Sequence, residues 1–346
     1  MEQITWPEAD LEILESCPVC GSQEFDIAHS RCSDIVFGNA PGLWDVQQCS
    51  KCQSGFIDRR PTPETIGRAY SSYYTHESGL PDVRSGQSLK LRILELMRGS
   101  YVNRHYGKGS PSLGPLGLLG IQAFPGISAT LDRKHRFISF PKKGPARLLD
   151  IGCGNGDFLQ TAKDSGWEVY GCDPDPSACE LAMKYTSHLR QGGSEAWHDK
   201  KGFFQAITLN HVVEHLHDPL ETFAQCHDML APGGLLHIET PNFDAVGRDV
   251  YSSYWRGLEV PRHLVLFTWG SLQEALKKSG YSIQRKMVRG NFDKLSRTSA
   301  KLEAGYRPNQ KVPDGTKLRK PSKEQSEKSA RNKVKSEFIG IIAQKA

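Results

Sequence analysis

The sharpest hydrophobic pattern in the chain is the run Leu148-Leu149-Asp150-Ile151, which passes directly into Gly152-Cys153-Gly154-Asn155-Gly156-Asp157 and then into a helical stretch. Apolar residues on both faces predict a parallel strand covered on both sides. The three glycines permit positive φ and let a ligand lie against bare backbone, so the segment predicts a strand, a tight turn and a helix N-terminus. Further strands are predicted at Glu168 to Asp173, near His188 to Gln191, at Phe203 to Leu209, at Leu235 to Glu239 after a Pro232-Gly233-Gly234 turn, at Tyr281 to Val288, and at Glu337 to Ala343. Between the fourth and fifth, Asp218-Pro219 caps a helix running to Leu230. This alternation predicts an α/β fold around a mostly parallel, seven-stranded sheet.

Patterns outside that region are weaker. In residues 1 to 75, polar and aromatic alternation around Trp44-Asp45-Val46 and Phe56-Ile57-Asp58 predicts short strands. A helix from Pro63 to Tyr74 follows the start signal at Thr62, and Tyr70, Tyr73 and Tyr74 form an aromatic face that meets substrate or covers the core, with packing favoured. Residues 76 to 145 read as a helical and Gly/Pro-rich connecting region. Leu89, Ile93, Leu96 and Met97 recur at helical spacing, with Arg84, Lys90, Arg92 and Arg98 on or near that helix, a pattern open to a lid or a membrane-surface helix. The apolar segment from Leu113 to Ile127 has no helical period and is assigned no element. Its two readings are an active-site wall and a peripheral contact with lipid. The stretch from about 289 to 336 is rich in Lys, Arg, Ser and Pro and reads as a solvated insertion or arm.

Composition narrows the picture. The 346 residues suffice for two domains, and a formal net charge of +5 is too small to demand nucleic acid. The acidic start MEQITWPEADLEILES lacks the order of a secretory signal, and the longest apolar run is broken by Gly and Pro, which predicts a cytoplasmic protein. No feature of the chain speaks to oligomeric state. Nine cysteines in such a chain are thiols or metal ligands rather than disulfides. Cys17-Pro-Val-Cys20 and Cys49-Ser-Lys-Cys52, separated by 28 residues, match a closed, structural Zn²⁺ site; a redox dithiol explains two matched pairs less well. Cys32, Cys153, Cys172, Cys179 and Cys226 read as small buried residues.

Asp173 ends the second strand where a ribose diol would meet a carboxylate. The G-x-G-x-G spacing, with no basic residue following, favours a nucleoside without pyrophosphate. At this point the chain resembles the class I S-adenosylmethionine-dependent methyltransferases, through LLDIGCGNGDFL, GCDPDPSA, LNHVVEHLHDP and LAPGGLLHIETPN in that order, over about Ala146 to Val288. Similarity to the sugar and small-molecule branch extends upstream through the cysteines. The resemblance implies a Rossmann-like sheet in residues 146 to 346, preceded by a zinc ribbon. It further implies S-adenosylmethionine held by Asp150, Gly152, Gly154, Gly156, Asp173, Ser194 and Asn210. Gln205 departs from the aspartate usual at its position.

Methyl transfer to a hydroxyl requires a placed nucleophile and a proton acceptor. Asn210, His211, Glu214 and His215 lie at the end of the fourth strand. The resemblance nominates His215 as base or orienting donor with Glu214 beside it, and His263, in WRGLEVPRHL, as a second base. The acceptor implied is a sugar, glycan or related small molecule, methylated at oxygen or carbon. The alternative for His215 is a turn cap. His211-Val-Val-Glu214-His215 also spells H-x-x-E-H, an inverted zinc-protease motif that requires a continuous helix. The competing functions are an RNA methyltransferase with a zinc module, and a non-catalytic adaptor that binds S-adenosylmethionine.

Overall fold

The computed structural model describes residues 5–70, 89–288, 292–331 and 333–346. Five short strands open the chain: β1 (Leu11–Ile13), β2 (Phe25–Cys32), β3 (Trp44–Cys49), β4 (Gly55–Ile57) and β5 (Arg59–Pro61). Next come β6 (Arg147–Ile151), β7 (Glu168–Asp173), β8 (Leu189–Gln191), β9 (Phe204–Asn210), β10 (Leu230–Pro241), β11 (Val265–Leu266), β12 (Tyr281–Val288) and β13 (Phe338–Lys345). They form a two-stranded sheet β1-β5, a four-stranded sheet β11-β4-β3-β2 and a seven-stranded sheet β12-β13-β10-β9-β6-β7-β8.

The seven-stranded sheet has a doubly wound, Rossmann-like order. β6 runs parallel to both β7 and β9. Chain progression reverses direction there, and this switch point is where such sheets hold ligands beyond the strand ends. Leu148, Leu149 and Ile151 are buried to 2% exposure or less, as expected for a strand covered on both faces, and burying each is worth roughly 1.5–3 kcal/mol. Gln205, at the position where aspartate was expected, accepts the Arg147 N–H at 3.0 Å and so stays within the ladder's hydrogen bonding.

Several elements differ from the expectation. Pro232-Gly233-Gly234 does not separate a turn from a strand, because β10 runs continuously through it. Gly233 adopts φ +71, and its carbonyl accepts from the Gln344 side chain at 2.8 Å, which holds the irregular segment to the neighbouring strand β13. The segment given no element forms two helices, Gly114–Gln122 and Pro125–Lys134, each with proline in its first turn. The helix anticipated from Leu89, Ile93, Leu96 and Met97 spans Leu89–His105, while Arg84 lies outside the described residues. After Thr62 the chain forms a short 3-10 turn, Ile66–Tyr70, and Tyr73 and Tyr74 lie outside the described residues. Within the basic stretch, the helix Phe292–Glu303 buries Ser296, Ser299, Ala300 and Leu302, whereas most of Lys323–Arg331 is exposed or half-buried.

The chain packs as two compact units. One comprises Met1–Tyr73, Asn210–Phe223 and Ile238–Ile341. Its core joins Trp6, Trp44, Val46 and Ile57 to Phe243, Tyr251, Trp255 and Leu266. The other comprises Tyr74–Leu209, Ala224–His237 and Ile342–Ala346.

Inside the first unit Arg262, with no exposed side-chain surface, donates to both Asp34 oxygens at 3.1 and 2.7 Å, to the Ala69 carbonyl and to Asn39. Asp34 also accepts the Phe37, Asn39 and Ala40 N–H groups. Burial opposes its charge, yet Arg262 holds the carboxyl below its ordinary range. Asp34→Ala leaves that guanidinium buried without its anion and should cost about 3–5 kcal/mol in urea unfolding. A loss below about 1 kcal/mol would show that the pair is dispensable.

Candidate active site and zinc centre

In the second unit the residues expected to hold a cofactor converge around the end of β6. Gly152, Gly154 and Gly156 have φ of +68, +53 and +83. Space is open at Gly154, where an added Cβ would meet nothing within 4 Å, whereas at Gly156 it would lie 2.7 Å from the Tyr185 ring. Gly154 thus offers bare backbone, and Gly156 lets the helix Asp157–Asp164 pack close. Asp173 accepts the Gly154 N–H at 2.9 Å and the Asp175 N–H at 3.0 Å, one on each oxygen, which sets the carboxylate beside the turn with acceptor capacity to spare. Burial pushes its carboxyl above the ordinary range.

Asp150 is buried, and one of its oxygens accepts from Thr208 at 2.7 Å and pairs with Arg136. Its second oxygen is buried with no partner. An orphaned carboxylate oxygen beside an open glycine turn fits a ligand with a donor group, and this donor set suits S-adenosylmethionine. Arg136 also stacks over Phe158 at 3.7 Å. Ser194 is buried in a 3-10 turn, with its hydroxyl donating to Gln225 at 2.6 Å. Asn210, the half-buried last residue of β9, belongs to the first unit.

The other candidates gather within the first unit. Val213–His215 is a three-residue 3-10 turn, and His211 just before it has φ +57. The continuous helix that the H-x-x-E-H zinc motif requires is therefore broken, which removes the protease reading. The same break lets Glu214 and His215, adjacent in sequence, serve one locality. Glu214 is fully buried, accepting from Thr240 at 2.9 Å and from His211 at 3.3 Å. His211 also lies 3.3 Å from Glu239. Burial alone would lower the His211 pKa, but its hydrogen bonds to Glu214 and Glu239 prevail and hold it up to about 9. Burial would raise Glu214, but His211 and the neighbouring histidines bring it down to about 2.

The signs give a stability window. A depressed carboxyl contributes above its unfolded pKa of about 4.5 and loses that contribution as pH falls toward 2. A raised histidine contributes below about 6.5 and loses it as pH rises through 9. The pair's contribution should be complete between those inner limits. The stability gap between the parent and His211→Gln should therefore shrink as pH rises from about 6 to about 9.5 in denaturant titrations. A gap independent of pH would show that His211 carries no charge.

His215 Nδ1 lies 3.0 Å from the Arg262 carbonyl and 2.9 Å from the Tyr70 hydroxyl. A carbonyl only accepts, so hydrogen bonding assigns the proton to Nδ1 and leaves the Nε2 lone pair available. His263 Nδ1 donates to Gly257 O at 2.7 Å, and the His263 ring meets the His215 ring edgewise at 4.8 Å. Burial, reinforced by His215 and opposed by Glu259, holds His263 down to about 4, a weak base. His215 is half-buried and His263 buried. Glu214, His215 and His263 present ligating atoms within 4.8 Å of one another. Both Glu214 oxygens, however, already accept hydrogen bonds, an arrangement suited to proton transfer more than to holding a cation.

The four expected cysteines converge. Cys17 and Cys52 sulfurs lie 3.6 Å apart, and Cys20 and Cys49 sulfurs 3.5 Å apart. A zinc–sulfur bond of about 2.3 Å implies tetrahedral sulfur separations of roughly 3.8 Å, so the residues fit the ion. Their backbones repeat one turn. Cys17 and Cys49 N–H groups donate to Ser22 and Ser54 carbonyls, and Gly21 and Gln53 N–H groups donate back to Cys17 and Cys49. Val19 and Cys52 N–H groups point at the Cys17 and Cys49 sulfurs at 3.5 Å each. When bound there, the ion would have four protein ligands and no open position, which makes its role structural.

Sequence reasoning missed Arg136 and Asp34 and gave Arg262 no role. No motif surrounds the first two. Only the charge of Arg262 within the WRGLEVPRHL segment hinted that an anion had to be found for it.

Residues 126–286 match a family model described as a methyltransferase domain. A ubiquinone biosynthesis O-methyltransferase from Cereibacter sphaeroides (strain ATCC 17029 / ATH 2.4.9) is 35% identical over 102 residues, covering 28% of this chain and 41% of that protein. One from Xanthomonas campestris pv. campestris (strain B100) is 30% identical over 104 residues, covering 28% of this chain and 44% of that protein. The chain thus spans less than half the length of these curated relatives. A methyltransferase structure from Archaeoglobus fulgidus aligns with 66% of this chain and 98% of its own, at 20% identity and a TM-score of 0.44. The matched residues contain the glycine turn, Asp173 and the Glu214-His215 pair, so the stretch of the chain that is similar to a methyltransferase domain includes these candidate residues.

Proposed function

We propose that the protein transfers a methyl group from S-adenosylmethionine to a hydroxyl oxygen of a small-molecule acceptor, with His215 as the base. The observation that carries this reading is the tautomer of His215, fixed by the Arg262 carbonyl so that Nε2 is free to take a proton. When bound, S-adenosylmethionine supplies a methyl group on a positively charged sulfur that departs as a neutral thioether. Asp173 binds the ribose hydroxyls, the backbone at Gly154 admits the nucleoside, and the unpaired Asp150 oxygen and the Arg136 guanidinium suit the ammonium and carboxylate of its amino-acid end. As the acceptor oxygen gains its methyl group, its proton passes to His215 Nε2. Glu214, kept ionised down to about pH 2, offsets the resulting imidazolium. Oxygen is favoured over carbon, and a small molecule over a glycan, because the relatives above are named for O-methylation in ubiquinone biosynthesis.

Native mass spectrometry of the zinc-replete chain, followed by calorimetric titration, tests the reading. One zinc and one S-adenosylmethionine per chain are expected. Asp173→Ala should weaken the cofactor by at least about tenfold through loss of two charge-assisted hydrogen bonds. Asp173→Asn, which keeps an acceptor for Gly154 N–H, should show an intermediate loss. Failure of the parent chain to bind S-adenosylmethionine would sink the proposal.

A further inference from the structure

The two helices that the hydrophobic pattern did not anticipate belong to an inverted surface. Gly117 and Gly120 face inward: a Cβ on Gly117 would lie 2.1 Å from Ser100 Oγ, and one on Gly120 would lie 2.6 Å from Met97 Cε. On the helix before them, a Cβ on Gly99 would lie 1.9 Å from the Pro111 carbonyl oxygen. Small residues thus let Leu89–His105 and Gly114–Gln122 pack closely, with Ile121 buried on the inward face, while Leu116 and Leu119 turn outward, 76% and 66% exposed. A helix facing water keeps its leucines inside and its polar residues outside, whereas this one turns two leucines outward. Small residues at the helix contact with leucines outward is the arrangement of a helix whose surroundings are apolar.

The exposure is concentrated. Of the fourteen large apolar side chains most exposed among the described residues, seven lie between Leu89 and Phe124. The charge is concentrated with them, since residues 89 to 143 hold ten Lys or Arg against two Asp or Glu, more than the net excess of the whole chain. Lys90, Arg92, Arg98, Arg133, Lys134 and Lys143 are all exposed. Of the two acids, Asp132 is occupied by the Tyr101 and Tyr106 hydroxyls.

We infer that this helical surface docks on an anionic lipid bilayer, with Leu116, Leu119 and Phe124 entering the headgroup–acyl boundary and the cations meeting lipid phosphates. No helix among the described residues is long and apolar enough to cross a membrane, and nine residues span about 13.5 Å, so the contact lies in the interface. Exposed leucines have no use on a phosphate backbone, which argues against nucleic acid. A second copy would bring one cationic patch against another, which argues against self-association.

Vesicle co-sedimentation of the full chain tests the surface. It should pellet with phosphatidylglycerol-containing vesicles and less with pure phosphatidylcholine, and high salt should weaken the difference. The double variant Leu116→Asp/Leu119→Asp should bind at least about tenfold less while keeping the parent's melting temperature and circular dichroism, because both side chains already face solvent. Arg133→Glu/Lys134→Glu should reduce binding to the anionic vesicles alone. No vesicle binding by the parent, or binding untouched by the leucine variant, would overturn the assignment. So would binding of a duplex oligonucleotide without vesicles, or a dimer dispersed by the leucine variant without vesicles.

Discussion

Replacing Cys49 by Ser should release the zinc ion and unfold the N-terminal strands, lowering the melting temperature by on the order of 10 °C or more. Cys49 is fully buried, and its sulfur is one of four held within 4.8 Å of one another. Without the ion, four clustered thiols, three of them buried, would face each other with little apolar surface to compensate. Structural zinc is worth roughly 10–16 kcal/mol in small zinc modules, as much as the net stability of a whole domain. The damage should spread within its unit, because Trp44, Val46 and Ile57 share a core with Phe243, Tyr251 and Leu266. Zinc stoichiometry by mass spectrometry and melting with a strong chelator check this together. Full stability of the zinc-free parent would mean that packing alone holds the ribbon.

His215→Ala should lower kcat by about 10²–10⁴-fold, the usual worth of a positioned general base. S-adenosylmethionine affinity should hold, since the change removes a proton acceptor and no nucleoside contact. Tyr70→Phe deletes the 2.9 Å contact to Nδ1 but spares the Arg262 carbonyl at 3.0 Å, so its loss should be smaller, on the order of tenfold. His263→Ala separates the two histidines. A residue held down to about 4 is neutral across the working range, and its removal should lower kcat less than the loss of His215 does. Single-turnover rates across pH decide the matter, and an unchanged rate for His215→Ala would remove it from the chemistry.

What could be read from the sequence was whatever is local. The β6 strand and its glycine turn, the cysteine pairs and the Glu214-His215 segment each announce themselves within a dozen residues, because backbone conformation and ligand spacing are short-range constraints. The Arg262–Asp34 pair joins residues 228 positions apart, and no local pattern marks either as the other's partner. Arg136 escaped notice for the same reason, since its value comes from Asp150 and Thr208 on strands it does not belong to. Residues 114 to 122 misled differently. A helix with glycine inside and leucine outside carries no ordinary amphipathic signal, so periodicity gave no element where a helix stands. At β10, proline and glycine punctuation overstated a turn that side chains of β13 hold in line.

The twin cysteine turns also bear on how the N-terminal sheet finds its alignment. Pairing of β2 with β3 slips twice within eight residues, between Ile27 and His29 and again between His29 and Cys32. Such a ladder specifies its own register weakly, and a one-residue slide would exchange its inner and outer faces. Cys49 stands opposite Phe25 in that ladder, while Cys17 and Cys20 precede β2. An ion gripping all four sulfurs therefore sets which residues of the two strands face each other. In this protein the metal would serve as a ruler for strand alignment as well as a source of stability.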